Sequence, residues 1–307
     1  MSVDLSIIDH EHRTWAKLTD FSPRWFGVEG YGFALRQAIR ERQRGWGLDP
    51  SGRLDGSTYR RIRTEIRSKL PPRTPPPVDE KAPSWIVVNG VMVPIQWPRV
   101  VLWWEEGGLA ADPGTYGVVN EPRNVEIFYT HWDVCRESAD CIDVLNRRKI
   151  SVTYLIDNDG TLYQTMDANH RPFHLRDRWA NARSIGVEIS NAYYPKYQPW
   201  YEEHGFGERP VMEGVRVHGV ELDPFLGFYP VQLECLSALW AACSDAYDIP
   251  LQVPCAPDGS QCEAVHPEVL AGTYRGFASH FHRRRGKIDC AGLDDFAVLR
   301  RAQEILG

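Results

Sequence analysis

Residues 71–83 read PPRTPPPVDEKAP, thirteen positions of which six are proline. Proline holds φ near about −65° and has no N–H to donate, so this run enters neither a helix interior nor a central strand. It favours extended, solvated polyproline backbone. The sequence therefore predicts a small unit over 1–70, a semi-rigid linker over 71–83 and a larger domain over 84–307.

Composition bears on partners more than on fold. The net charge of −6 gives no bulk attraction for a polyanion, and no base-reading motif accompanies the arginines of the first unit, so nucleic acid is not an expected partner. No apolar run approaches the ~20 residues a membrane helix needs. The start, MSVDLSIIDHEHRTW, carries acids and histidines where a secretory signal has a basic start and an apolar core. This predicts cytoplasmic synthesis without a cleavable signal. The seven cysteines include two close pairs, Cys135/Cys141 and Cys255/Cys262. Neither spacing is a zinc-knuckle pattern; in a cytosolic chain thiols are favoured over local disulfides.

The first unit reads as helical. Phe33, Leu35 and Ile39 recur among charged residues in YGFALRQAIRERQRG, and Ile62, Ile66 and Leu70 fall four apart in STYRRIRTEIRSKL. Turn residues, GLDPSGRLDGS, separate them.

The larger domain alternates strand and helix patterns. VEIFYTH (125–131) is β-branched and aromatic, and WDVCRESADCIDVLNRR follows with helical periodicity. SVTYLID and TLYQTMD flank Asn158-Asp159-Gly160 as a hairpin. RSIGVEISN (183–191) is a further strand, YPVQLECLSALWAACSDAYDI a core helix, and DDFAVLRRAQEIL a closing helix with aspartates where the dipole favours them. The predicted class is α/β: a mixed central sheet flanked by helices, preceded by a small helical module. Residues 84–124 give no clear pattern; Trp103 and Trp104 are read as core.

HFHRRRGKIDCAG (280–292) concentrates imidazole, carboxylate and thiolate, the side chains zinc prefers. His131, at the end of a predicted strand, would add a ligand. A zinc hydrolase needs three protein ligands and an open position, where bound water falls in pKa from about 15.7 to about 7. Lys287 would put a cation where an oxyanion develops. Glu188, inside an apolar strand, faces either solvent or a site; alternation alone leaves both open.

In chain order stand IFYTH (127–131), SVTYLIDNDGTLYQ (151–164), PFH (172–174), NARSIGVE (181–188), YPVQ (229–232), and SH (279–280) followed by KID (287–289). Together they resemble the zinc-dependent N-acetylmuramoyl-L-alanine amidases, the superfamily that includes peptidoglycan recognition proteins and phage amidase lysins. The resemblance implies Zn2+ held by His131, His280 and Asp289, Glu188 as general base and Lys287 as oxyanion partner. It also implies substrate contacts from His174, Tyr154 and Asn181, and peptidoglycan or a muropeptide as substrate. Two positions depart from it. Cys290 replaces the usual proline, and because some members use a cysteine ligand, His282 with Cys290 is a rival pair. Thr153 stands where many relatives have histidine. The first unit resembles, through GRLDGST (52–58), small helical peptidoglycan-binding modules.

The implied activity is hydrolysis of the amide between N-acetylmuramic acid and L-alanine. The alternatives are a non-catalytic wall-binding or sensing protein, and a cytoplasmic amidase of wall-fragment recycling. A wall-binding module favours action on intact wall after release or export, as a lysin or effector would act.

Overall fold

The protein is described here from a computed structural model covering residues 5–74 and 83–307. Of the proline-rich segment expected to form a linker, residues 75–82 lie outside the described residues, as do the first four residues of the chain. The chain divides into two compact units, Met1–Pro71 and Pro72–Gly307.

The first unit contains α1 (Leu5–Leu18), α2 (Phe33–Gly45) and α3 (Gly56–Arg67). Its core is formed by Ile8, Phe21, Phe26, Leu35, Ile39, Leu54, Tyr59 and Ile62. Helix α1 was not expected, because its apolar positions are sparse among acids and histidines. The GRLDGST stretch has a structural account. Gly52 has φ of 75°, Leu54 is buried, and Asp55 caps α3 by accepting from the Thr58 N–H at 2.8 Å.

The second unit begins with a hairpin, β1 (Ser84–Val88) and β2 (Val91–Ile95), and an edge strand, β3 (Val100–Leu102). These fill the region the sequence left unassigned; Trp104 is exposed rather than core. The main sheet adds β4 (Ile127–Trp132), β5 (Tyr154–Ile156), β6 (Leu162–Gln164) and β7 (Ser184–Ile189). Four two-residue strands follow, β8 (Val211–Met212), β9 (Arg216–Val217), β10 (Val220–Glu221) and β11 (Phe225–Leu226), before β12 (Gly276–Ser279). The helices are α4 (Ser138–Arg147), α5 (Arg178–Ala182), α6 (Gln198–Glu203), α7 (Pro230–Tyr247), α8 (Pro267–Ala271) and α9 (Asp295–Leu306).

The six-stranded sheet runs β12-β4-β7-β5-β6-β3. β12, β4, β7 and β5 are mutually parallel, and β6 turns back antiparallel to β5. That reversal is the expected hairpin, with Gly160 at φ 81°. One face, carrying Phe128, Ile185, Val187, Ile189 and Phe277, packs with Leu236, Leu239 and Trp240 of α7 and Val298 and Ala302 of α9. The other carries a smaller cluster of Ile127, Tyr129 and Ala278 with Leu175, Ala180, Val269 and Tyr274. The fold is thus the α/β class with a mixed central sheet between helices. No helix among the described residues is long and apolar enough to cross a membrane.

Candidate active site

Strand register builds the site. His131 on β4 stands opposite Glu188 on β7. On β4's other side, Ser279 of β12 stands opposite Thr130, so His280 emerges beside His131. All three strands run parallel, and ligands in open α/β sheets bind beyond the carboxyl ends of parallel strands. Ile185, Val187 and Ile189 point into the main core, so period two turns Ser184, Gly186 and Glu188 to the opposite face. Glu188 is 9% exposed; of the two orientations open at the sequence level, it adopts the one toward the site.

The chain from 280 to 291 folds back on itself, with the Phe281 N–H donating to the Asp289 carbonyl at 3.0 Å. This returns Asp289 to His280. His131 Nδ1 lies 2.9 Å from His280 Nδ1 and 3.2 Å from Asp289 Oδ2, and His280 Nδ1 lies 2.9 Å from the same Oδ2. The three residues are buried and form a group suited to holding a metal ion. Burial, reinforced by His280, lowers the His131 pKa to about 4, leaving a neutral imidazole. Burial pushes Asp289 upward, but His280, Lys287 and His131 outweigh it and hold the carboxyl well below its usual range. Two neutral-capable nitrogens and an anionic oxygen thus converge, the donor set of a catalytic divalent-metal site.

Lys287 Nζ stands 3.8 Å from Asp289 Oδ1, at the rim of the group. His174 lies directly behind His131, its Nδ1 3.0 Å from His131 Nε2 and its Nε2 2.9 Å from Ser184 Oγ. Both ring nitrogens therefore face inward rather than toward a groove. Asn181 and Tyr154 do not reach the site. The Asn181 amide brackets Leu175, accepting from its N–H at 2.9 Å and donating to its carbonyl at 2.8 Å, which closes the loop that carries His174. Tyr154 is fully buried in the main core, where no substrate can touch it.

The rival pair is directed elsewhere. His282 receives the Ser279 N–H at 3.0 Å and contacts the Cys262 carbonyl at 2.7 Å, so both its nitrogens are occupied. Cys290 is buried in the main core, and burial pushes its thiol well up. Thr153 is buried on β5's approach. Arg283 is pinned to Asp177 at 2.7 Å and to the Val269 carbonyl at 2.7 Å, while Arg284 and Arg285 are exposed. Helix α4 starts at Ser138, so Cys135 precedes it in irregular backbone; all seven cysteines are thiols.

Sequence reasoning missed Ser184 and Gly186. The signal was present: a glycine within a β-branched strand marks close approach of another group. A Cβ at Gly186 would lie 2.8 Å from His174 Nδ1 and 2.7 Å from the Tyr129 carbonyl oxygen.

Residues 121–254 match one family, Amidase_2, N-acetylmuramoyl-L-alanine amidase. Among solved structures, similarity extends to a selenomethionine derivative of AmpD (TM-score 0.35, 13% identity, 74% of this chain and 99% of that one). It also extends to the Ph2119 endolysin from the Thermus scotoductus MAT2119 bacteriophage Ph2119 (0.38, 14%, 66% and 99%). A third is PGRP-Hd from Alvinella pompejana (0.29, 15%, 56% and 94%). No curated protein has a matching sequence. Residues 121–254, less than half of the chain, are thus similar to the N-acetylmuramoyl-L-alanine amidase family.

Proposed function

We propose that the second unit cleaves the amide joining the lactyl group of N-acetylmuramic acid to L-alanine in peptidoglycan, at a Zn2+ centre held by His131, His280 and Asp289. The observation that carries this is the triangle of Nδ1, Nδ1 and Oδ2 atoms, 2.9, 3.2 and 2.9 Å on its edges. The fit is close: tetrahedral zinc with bonds of about 2.0 Å sets its ligand atoms about 3.3 Å apart. When bound, zinc polarises the substrate carbonyl and acidifies water.

The chain's own groups do the rest. Glu188, on the site face opposite His131, takes a proton from the attacking water as the new C–O bond forms. The Lys287 ammonium stabilises the negative charge gathering on the carbonyl oxygen. Glu188 then delivers its proton to the alanine nitrogen as the C–N bond breaks, leaving a lactyl carboxylate and a free alanine amino group. The first unit is assigned to holding the enzyme on the wall, which favours intact peptidoglycan over soluble fragments as substrate.

Mass spectrometry of purified peptidoglycan after incubation tests the reading. New N-terminal alanine on released stem peptides, lost with a chelator and restored by zinc, is expected. Asp289→Ala should abolish it, and Cys290→Ala should retain it. Sedimentation with the wall without bond cleavage would instead favour a non-catalytic binding protein.

A further inference from the structure

We infer that Ser184 and His174 are positioning residues that fix the tautomer of His131, through a one-way hydrogen-bond relay running from α5 through the start of β7 to β4. The inference rests on the metal-centre reading above.

The direction of the relay follows from counting protons. Ser184 Oγ lies 2.8 Å from the Ala180 carbonyl oxygen, which can only accept. The hydroxyl's single proton is therefore used there. Ser184 Oγ must then accept at its other contact, so the proton of His174 sits on Nε2, 2.9 Å away. A neutral imidazole with a proton on Nε2 presents a lone pair at Nδ1. His174 Nδ1 lies 3.0 Å from His131 Nε2, so it accepts, and His131 must carry its own proton on Nε2. That leaves the His131 Nδ1 lone pair facing His280 Nδ1 at 2.9 Å and Asp289 Oδ2 at 3.2 Å. A lone pair aimed at a carboxylate oxygen is repulsive unless a cation lies between them.

The relay begins at a backbone carbonyl, which cannot reverse. Its parts are also physically seated. Gly186 leaves room for the His174 ring, since any Cβ there would meet Nδ1 at 2.8 Å and Cε1 at 2.9 Å. Asn181 holds the adjacent Leu175 backbone at both its polar groups. Removing the Ser184 hydroxyl would free His174 to move its proton to Nδ1. It would then donate to His131 Nε2, displace the His131 proton to Nδ1, and block the ligand atom two groups away.

Long-range 1H–15N correlation spectra of the metal-free full-length protein read the tautomers directly. Both His131 and His174 are expected as Nε2–H forms. Zinc affinity, measured by competition with a chromophoric chelator, should fall about ten- to hundredfold in Ser184→Ala and His174→Ala. His174→Gln, whose amide oxygen can still accept, should recover most of it. An Nδ1–H tautomer at His131 in a zinc-binding wild type, or wild-type affinity in Ser184→Ala, overturns the relay alone. Failure of the wild type to bind zinc, or undiminished binding in His131→Ala, instead overturns the metal centre on which it rests.

Discussion

Gly186→Ala isolates the packing that seats His174. The added methyl would stand 2.7 Å from the Tyr129 carbonyl oxygen, 2.8 Å from His174 Nδ1 and 2.9 Å from its Cε1. Carbon contacts are comfortable at about 3.5 Å, so roughly 0.6–0.8 Å must open on two sides at once. Neither side yields easily. The carbonyl belongs to β4, which is paired on both edges, and the ring is tethered at both nitrogens. Overpacking of this kind costs about 1–3 kcal/mol. Restricting the unfolded chain returns about 0.4–1 kcal/mol, leaving a net loss of about 1–2 kcal/mol. For a unit of this size that lowers Tm by about 2–8 °C, followed by near-UV circular dichroism on heating. Repeating the substitution in a His174→Ala background should reduce the cost, because only the Tyr129 contact remains. A Tm at or above wild type would refute the reasoning, and so would an identical loss in both backgrounds.

Glu188→Gln keeps the shape of the site but removes the proposed base. It should lower kcat about 10²- to 10⁴-fold while leaving zinc affinity near wild type; retained turnover would remove Glu188 from the mechanism. Asp295 is buried, its two carboxylate oxygens have no hydrogen-bond partner among the described residues, and burial raises its pKa to about 8. A raised carboxyl pKa means that the fold prefers the protonated form. Its contribution therefore holds at acid pH and is lost as pH rises from about 4 to about 8. Asp295→Asn should flatten that decline and raise the urea midpoint at pH 8, and an unchanged pH profile would refute this. Arg209 is buried between the rings of Tyr201 and Tyr229 and donates to the Gly227 and Ser190 carbonyls at 2.7 and 2.8 Å. Arg209→Lys loses the planar fork and should cost about 3 kcal/mol, read as a lower urea midpoint at unchanged m-value.

The α/β pattern was legible wherever a segment repeats its period long enough to average out single residues. This holds for the hairpin turning at Gly160, whereas α7 was legible as a long apolar run, buried at every position from Cys235 to Cys243. Short or one-sided elements were not legible. Strands β1 to β3 are three to five residues long and partly exposed, so they leave too few positions to show alternation. The paired aspartates before α9 show a different limit. Asp294 caps the helix, while Asp295, equally favoured by the dipole, is turned into the interior. Propensity places acids at a helix start but does not say which one the core will claim.

The site was legible only as an ordered set of motifs, because its convergence is a property of sheet order. His131 and His280 are 149 positions apart, and nothing in either neighbourhood states that β12 pairs with β4. Within β7, however, the sequence SIGVEI carries more than its hydrophobic pattern suggests. Ser184, Gly186 and Glu188 share one face at period two. The serine ends in a carbonyl-anchored hydroxyl, the glycine clears the space for His174, and the glutamate meets the site opposite His131. Taken singly, a glycine and, to a lesser degree, a glutamate weaken a strand. Their alternation with Ile185, Val187 and Ile189 lets one face supply the packing that holds the strand, while the other is free to carry groups chosen for chemistry.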